Sequence, residues 1–285
     1  SGGAAAGGTI SDSAHVSGGL SPSGSVTFKL FGPADPQCSA TPVANTTGAL
    51  AGMTASSGNV TVATAGTYNW VATYSGDSNN PSVTSPCGSE TVVVTAQTLT
   101  GRAYGLAASA TLLGVTLVNV APIPDTGAIS TSASSTTTTP CVATLTGPVG
   151  AHVLCANVTT VSSPAKSTAR ASVADATVGI VTIPTISLRA VQSTSTTTCG
   201  GSSGTTTIAF LQVGGTVVIA APTNIAPNTT ISVAGVTLVL NEQIPVTGPD
   251  TGLTVNAVHI SVNLLHLAQT TVIVASSESD IGGCP

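Results

Sequence analysis

The residues with the most chemical potential in this chain are its six cysteines, four histidines and ten carboxylates. Their spacing makes no reactive centre. Asp125-Thr126-Gly127 and Asp250-Thr251-Gly252 repeat the tripeptide of two-lobed aspartic proteases, where two carboxylates share a proton and activate water. Here each follows a proline, Pro124 or Pro249, where those enzymes have an apolar strand. Pro-Asp-Thr-Gly reads as a turn, with proline fixing φ and glycine supplying positive φ. Gly200–Gly204 fits the pattern GxSxG. A nucleophile elbow needs a strand before it and a helix after it, whereas a cysteine and a Thr run flank this one, so it reads as a loop. Ser75-Gly76-Asp77-Ser78 is half of a GDSGG motif, placed in a turn.

The histidines are His15, His152, His259 and His266, with no HxH or HExxH spacing. Glu278 and Asp280 share a strand face, and Asp77 sits among Ser and Asn. Tight calcium sites need six to eight oxygens with several carboxylates. Lys29, with Glu90 or Asp77 in the same domain, supplies ingredients of a Lys–Asn isopeptide crosslink. Sequons start at Asn45, Asn59, Asn157 and Asn228, which is the background level in so Ser/Thr-rich a chain. The expectation is no enzyme, no cofactor and no metal site.

The cysteines are Cys38, Cys87, Cys141, Cys155, Cys199 and Cys284. An even count, no CxxC pair and only 5% charged residues point to disulfides in an oxidising compartment. Sequence neighbours are the expected partners: Cys38–Cys87, Cys141–Cys155 and Cys199–Cys284.

The elements that hold these groups read as strands throughout. Gly66–Val94 contains the only Trp, Trp70, and two of the three Tyr, Tyr68 and Tyr74. Read with period two, Tyr68, Trp70 and Ala72 share a face, the expected core of the first domain. SGDSNN is a polar turn, and Thr91–Val94 returns as a β-branched run. Ser23–Phe31 alternates Val26, Phe28 and Leu30 against Thr27, Lys29 and Phe31. Leu112–Val120 alternates as one strand, and Thr205–Ile219, Ile231–Leu240 and Leu253–Leu265 follow. No segment has a useful helical period. The fold class is all-β: an N-terminal immunoglobulin-like sandwich and a larger C-terminal all-β domain, both stapled by disulfides. The divisions are an arm at 1–8, a first domain at 9–97 and a second at 98–285, with the boundary in Thr95–Thr100.

The net charge of −5 comes with only five scattered Lys and Arg, which argues against nucleic acid and against acidic lipid surfaces. Mean hydropathy is +0.46, yet no apolar run reaches the length of a membrane-spanning helix. The chain opens Ser1-Gly2-Gly3-Ala4 without Met and is read as a mature secreted form. Its C-terminus shows no sorting motif, so covalent wall anchoring is not expected.

Residues 8–94, with GGTISDSAHVSGG, SGSVTFKLFGPADPQC and AGTYNWVATYSGDSNN, resemble the Ig-like repeats of secreted actinobacterial surface proteins. Residues 98–285 resemble the secreted family named choice-of-anchor P, through GRAYGLAAS, SVADATVGI, RAVQSTSTTTCGGSSGTTTIAFL, LNEQIPVTGPDTGLTVNAVHI and ASSESDIGGCP. The resemblance implies an extracellular or cell-surface location and is silent on activity.

The functional expectation is a structural subunit of an extracellular homopolymer, a filament or sheath. Its partner is then another copy. Few charges oppose association, and an all-β chain has strand edges that can pair. The arm, with Ser1, Gly2, Gly3, Ala4, Ala5 and Ala6, is expected to dock on a neighbour. The alternative is a secreted adhesin or carbohydrate-binding module for cell-wall or surface glycans, using Thr-rich runs at Ser195–Thr198 and Thr205–Thr207.

Overall fold

A computed structural model describes residues 4–181, 183–233, 235–247, 251–264 and 268–284. They are strand, turn and irregular backbone, with no helix among the described residues. The chain splits into two compact units, Ser1–Gln97 with Gly283–Pro285, and Thr98–Gly282. Two expectations about division need correction. The Gly/Ala-rich arm is no separate element, because Ala4–Ala5 already forms a strand of the first unit. The end of the chain leaves the second unit: a Cβ at Gly283 would lie 3.6 Å from the Ala96 carbonyl, inside the first.

The N-terminal unit is built on a six-stranded sheet. Its order is Ala4–Ala5, Glu90–Thr95, Gly66–Tyr74, Ser25–Phe31, Ala44–Ala49, with Val83–Thr84 beside Gly66–Tyr74. Two ribbons share its core, Thr9–Ile10 with Val60–Thr61 and Ser13–His15 with Thr54–Ser56. Alternation decides what is inside. Val26, Phe28 and Leu30 from one strand meet Tyr68, Trp70 and Tyr74 from the next, and all are buried. Phe28 sets its ring edge-on to Trp70, with centroids 6.4 Å apart and planes at 89°. Both tyrosines keep their polar tips paired: Tyr68 donates to the Thr64 carbonyl at 2.8 Å, and Tyr74 to that of Ser23 at 2.7 Å. The Trp70 indole N–H is buried with no acceptor, so apolar contact is what holds this side chain. Cys38 is bonded to Cys87, closing the loops at one end of the sheet.

The C-terminal unit is two large antiparallel sheets. The seven-stranded one runs Val115–Asp125, Thr98–Leu112, Ala268–Gly282, Thr251–Leu264, Val236–Pro245, Thr229–Val233, with Ile129–Thr131 on Thr98–Leu112. The nine-stranded one runs Ser135–Thr138, Val149–Ser162, Ala165–Val178, Ile186–Thr198, Gly201–Ile208, Thr223–Asn224, and adds Val142–Leu145, Phe210–Val213 and Thr216–Ile219. Cys141 is bonded to Cys155; Cys199 and Cys284 are oxidised too, and no cysteine is free.

Between these sheets the filling is uneven. Leu106, Leu154, Leu188, Ile208, Val258 and Val274 make an apolar core. Elsewhere the facing residues are hydroxyls. Ser195 donates to the Leu253 carbonyl at 2.6 Å, Thr197 donates to that of Ser279 at 2.9 Å, and Ser167 donates to that of Thr100 at 2.5 Å. Ser195, Thr197 and Ser279 are wholly buried. Such bonds span little distance, so the backbones come close and glycine is needed. A Cβ on Gly105 would fall 2.8 Å from Leu154 Cβ and 2.9 Å from the Ile123 carbonyl.

Two stability outcomes follow from this packing. Trp70→Ala should cost about 3–5 kcal/mol, read from denaturant melts; a loss under about 1 kcal/mol would contradict its central place. Gly105→Ala should cost roughly 1–3 kcal/mol through overpacking against backbone, in the same measurement.

Candidate functional site

The outward surfaces of the C-terminal unit carry the features that local folding rules do not account for. In a regular strand, neighbours point to opposite faces. That alternation breaks midway along the nine-stranded sheet. His152 and Val153 both face outward, as do Ala174 and Asp175, and Arg189 and Ala190. Val153 has φ 47° and Ala190 has φ 46°, left-handed values that turn a strand by one position. Regular pairing skips this position on each strand: the ladder passes from His152–Asp175 to Leu154–Val173, and from Asp175–Arg189 to Val173–Val191. The result is a crease across the sheet. Along it lies a groove of about 420 Å³ lined by Val153, Ala174, Ala190, Val191, Ala209 and Pro222, with Ser172, Gln192 and Thr207 among its polar walls. The seven-stranded sheet has a matching crease, with Asn241 at φ 49° and Ala275 at φ 53°.

Charged groups flank the creases, and they are sorted by sheet. Among the described residues, the seven-stranded sheet carries Asp125, Glu242, Glu278 and Asp280 against one cation, Arg102. The nine-stranded sheet carries Lys166, Arg170 and Arg189 against one carboxylate, Asp175. They alternate with buried inward neighbours such as Ala103, Ser279, Ala169 and Leu188, although Asp280 is itself buried. Arg102 grips Asp125 through two bonds, at 3.0 and 2.7 Å. That contact holds the Asp125 carboxyl below its ordinary range and the Arg102 guanidinium above its own.

Two histidines have carboxylate partners. His152 Nδ1 lies 2.5 Å from Asp175, and His259 Nδ1 lies 3.0 Å from Glu242. Asn256 donates to Glu242 at 2.7 Å, and Ser276 donates to Asn256 at 2.7 Å. In this chain of bonds the serine gives its proton to an amide oxygen, not to imidazole. The arrangement ties three strands together and prepares no nucleophile. His15 sits exposed on Ser13–His15, while His266 lies outside the described residues.

The other singled-out residues take structural places. Asp125-Thr126-Gly127 is a turn in which Asp125 accepts the Gly127 N–H at 2.9 Å. The second tripeptide has Asp250 and its preceding Pro249 outside the described residues, while Thr251 and Gly252 begin a strand. Gly200–Gly204, expected as a loop, belongs mostly to the strand Gly201–Ile208. Its partner strand continues the Thr run, so a two-residue turn suffices. Lys29 is exposed opposite Asn45, and Glu90 lies in register with Trp70. Glu278 accepts from Thr254 and Asp280 from Thr100. No group of three metal-ligating residues occurs among the described ones.

The arm expected on a neighbour needs correction. Ser1, Gly2 and Gly3 lie outside the described residues, but Ala4, Ala5 and Ala6 bind their own chain. Ala4 and Ala5 pair in parallel with Val94 and Thr95, and the Ala6 N–H donates to Thr95 at 2.9 Å. The methyl groups are small enough to lie flat against the sheet edge, and Ala5 is buried. Strand edges are also poorer sites for pairing than expected. The outer strands of the C-terminal sheets have two to five residues, except Val115–Asp125, which carries Pro122, Pro124 and register shifts.

Sequence reasoning missed the creases and the sorting of charge. A trace of the first was available, as an outward charge beside a second outward residue at His152-Val153 and Arg189-Ala190. The second needs the strand order. Comparison with known protein families, curated proteins and solved structures finds no match.

Falling pH should cost the N-terminal unit stability through one turn. The Ser23 and Asn79 N–H groups donate to Asp77, with Tyr74 and Asn80 added, and hold its carboxyl far below the usual carboxylate range. Asp35 is lowered similarly by the Ala40 and Ser39 N–H groups, whereas burial pushes Asp12 the other way. A lowered folded value means stability that is complete above the unfolded pKa, about 3.9, and is lost as pH falls below it. Asp77→Asn should therefore flatten the acid sensitivity of this unit below about pH 4. Trp70 fluorescence reports it, being the only Trp; an unchanged acid transition would contradict the assignment.

Proposed function

We propose that this chain is a structural subunit of an extracellular or cell-surface homopolymer and has no catalytic role. The observation that carries the reading is the sorting of charge in the C-terminal unit: a net acidic seven-stranded sheet and a net basic nine-stranded one. Unlike faces attract when they meet on different copies, and like faces repel. Such a contact is heterologous, since it joins two different surfaces. Repetition then gives a ring or an open filament. The sparse charge elsewhere leaves little general repulsion to oppose it.

The disulfides fit an oxidising compartment. An immunoglobulin-like reading of the first unit is supported by the parallel first strand and by the Tyr68 bond back to Thr64. The resemblance to secreted surface proteins agrees with both points and rests on the quoted residues alone.

The glycan-binding alternative loses its motive. Ser195, Thr197 and Thr206 face the opposite sheet and are buried, so alternate residues of each Thr run are interior filling. The groove on the basic sheet has aliphatic walls and no aromatic platform among its lining residues.

Sedimentation velocity and negative-stain microscopy of the full chain test the proposal. Polymers are expected at low salt. Lys166→Glu combined with Arg170→Glu, both exposed, should raise the concentration needed for assembly by about tenfold or more. A wild-type chain that stays monomeric at high concentration would remove the homopolymer reading.

A further inference from the structure

The interior of the C-terminal unit changes width along its strands. At one level the two sheets are a hydroxyl apart: Ser195 Oγ lies 2.6 Å from Ser279 Oγ. Gly204, in register with Ser195, has no room there for a Cβ beside Val255 and Leu253. Toward the creases the interior takes Leu106, Leu154, Val191, Ile208 and Val274, all buried. One row of side chains lies between these levels. On the nine-stranded sheet it holds Ala171, Ser193 and Thr206, in register on three strands. On the seven-stranded sheet it holds Ala103, Ser277 and Val255, also in register. The two halves of the row face each other. Cβ positions at Gly101 and Gly105 meet Val158 and Leu154, so Thr98–Leu112 and Val149–Ser162 run in opposite directions across the interior. Antiparallel pairing then makes Ala268–Gly282 and Ile186–Thr198 run the same way. Ser193 stands two residues before Ser195, and Ser277 two before Ser279, on the same inward faces.

The hydroxyls of this row are stranded. Ser193 and Ser277 are 0% exposed and Thr206 is 2% exposed. None of the three oxygens has a hydrogen-bond partner in the protein. Ser193 and Thr206 are direct cross-strand neighbours, and still they do not bond. One level away Ser195, Thr197 and Ser279 are all bonded across the interior. The difference is width. The row sits where the gap has begun to open for Leu and Ile but is lined by Ala and Ser, whose side chains are too short to meet. A hydroxyl taken out of water and left unpaired is costly, and folded proteins keep few of them. Three in one row point to a shared partner.

We infer that Ser193, Thr206 and Ser277 bind an internal water molecule that bridges the two sheets. Each hydroxyl can both donate and accept. A water has two protons and two lone pairs, and buried waters make about three hydrogen bonds to groups of this kind. The row holds no carboxylate, so its chemistry suits a small neutral molecule and not a cation. Ala103 and Ala171 beside the hydroxyls are small, which leaves room for it. The water continues the polar seam of Ser195 and Ser279 one level further, where the sheets stand too far apart for direct contact. The site lies inside one chain, so it holds or fails independently of the homopolymer reading.

A high-resolution crystal structure of the full chain tests this without any variant. One water peak is expected within hydrogen-bond distance of Ser193 Oγ, Thr206 Oγ1 and Ser277 Oγ. Hydroxyls bonded to one another or to main-chain carbonyls, or a dry interior at this row, would overturn the inference. Calorimetric melting gives a second reading. Were the hydroxyls unpaired, Ser193→Ala or Ser277→Ala would remove a buried polar group and leave the melting temperature unchanged or raised. If they hold a water, each substitution takes away one of its partners and should lower the melting temperature by about 2–4 °C. The combined variant Ser193→Ala, Thr206→Val and Ser277→Ala removes every proposed partner, so the peak should vanish from its crystal structure. A water that persists there is held by other groups, and the assignment to these three residues is then wrong.

Discussion

The close approach of two sheets in the C-terminal unit governs the rest of that unit. Where Ser195, Thr197 and Ser279 bond across the interior, the space left for side chains is one hydroxyl deep. Large residues are excluded there, and a buried hydroxyl is costly unless bonded; Ser193, Thr206 and Ser277 are buried in this unit without a hydrogen-bond partner from the chain. Ser195 meets both the Leu253 carbonyl and Ser279, and Thr197 meets Ser279 twice, through backbone and side chain. The abundance of Ser, Thr, Ala and Gly in this chain is therefore an interior requirement as much as a surface property. It also explains where the charges lie. An interior this thin has no room for an ion pair, and among the described charged residues of the unit Asp280 alone is buried.

Long strands under such a constraint need a way to bend. Ala268–Gly282 and Thr98–Leu112 have fifteen residues each. The creases supply the bend by moving one residue per strand out of alternation. Strands with a left-handed residue alternate with strands without one: Val149–Ser162 and Ile186–Thr198 flank Ala165–Val178, which has none. The same device appears in both sheets. On the seven-stranded sheet its effect is polar, because Asn256 and Ser276 bond to each other next to the crease. On the nine-stranded sheet it is apolar, and a groove results. The groove is thus a by-product of how the two sheets bend.

Much of the fold was legible because period-two alternation is a strong signal in a chain with so few charges. Tyr68, Trp70 and Ala72 could be placed on one face from spacing alone; the structure buries Tyr68 and Trp70 and leaves Ala72 partly buried. The all-β class followed from the β-branched runs. What was not legible depends on strand neighbours. Leu112–Val120 alternates well as text, and only pairing shows that Leu113 is a turn. Ala4 and Ala5 look like linker until Val94 and Thr95 are found beside them. Nothing in the order of residues tells that Glu278 and Glu242 share a sheet while Arg170 and Asp175 belong to the other. The Thr-rich runs misled for the same reason: a stretch such as Ser195–Thr198 shows composition, while burial depends on which face meets the second sheet.

The self-association proposed for this chain has to be reconciled with its low charge. A surface of few charges invites unspecific contact, and long strands offer edges. The short outer strands, the prolines in Val115–Asp125 and the in-chain pairing of Ala4–Ala5 all reduce edge pairing. These features direct association away from the edges and toward the faces. On the faces, charge sorting gives orientation, because a copy approaching with the wrong face meets its own sign. Orientation alone leaves the register along the sheet undetermined, since Lys166, Arg170 and Arg189 are spread over two strands.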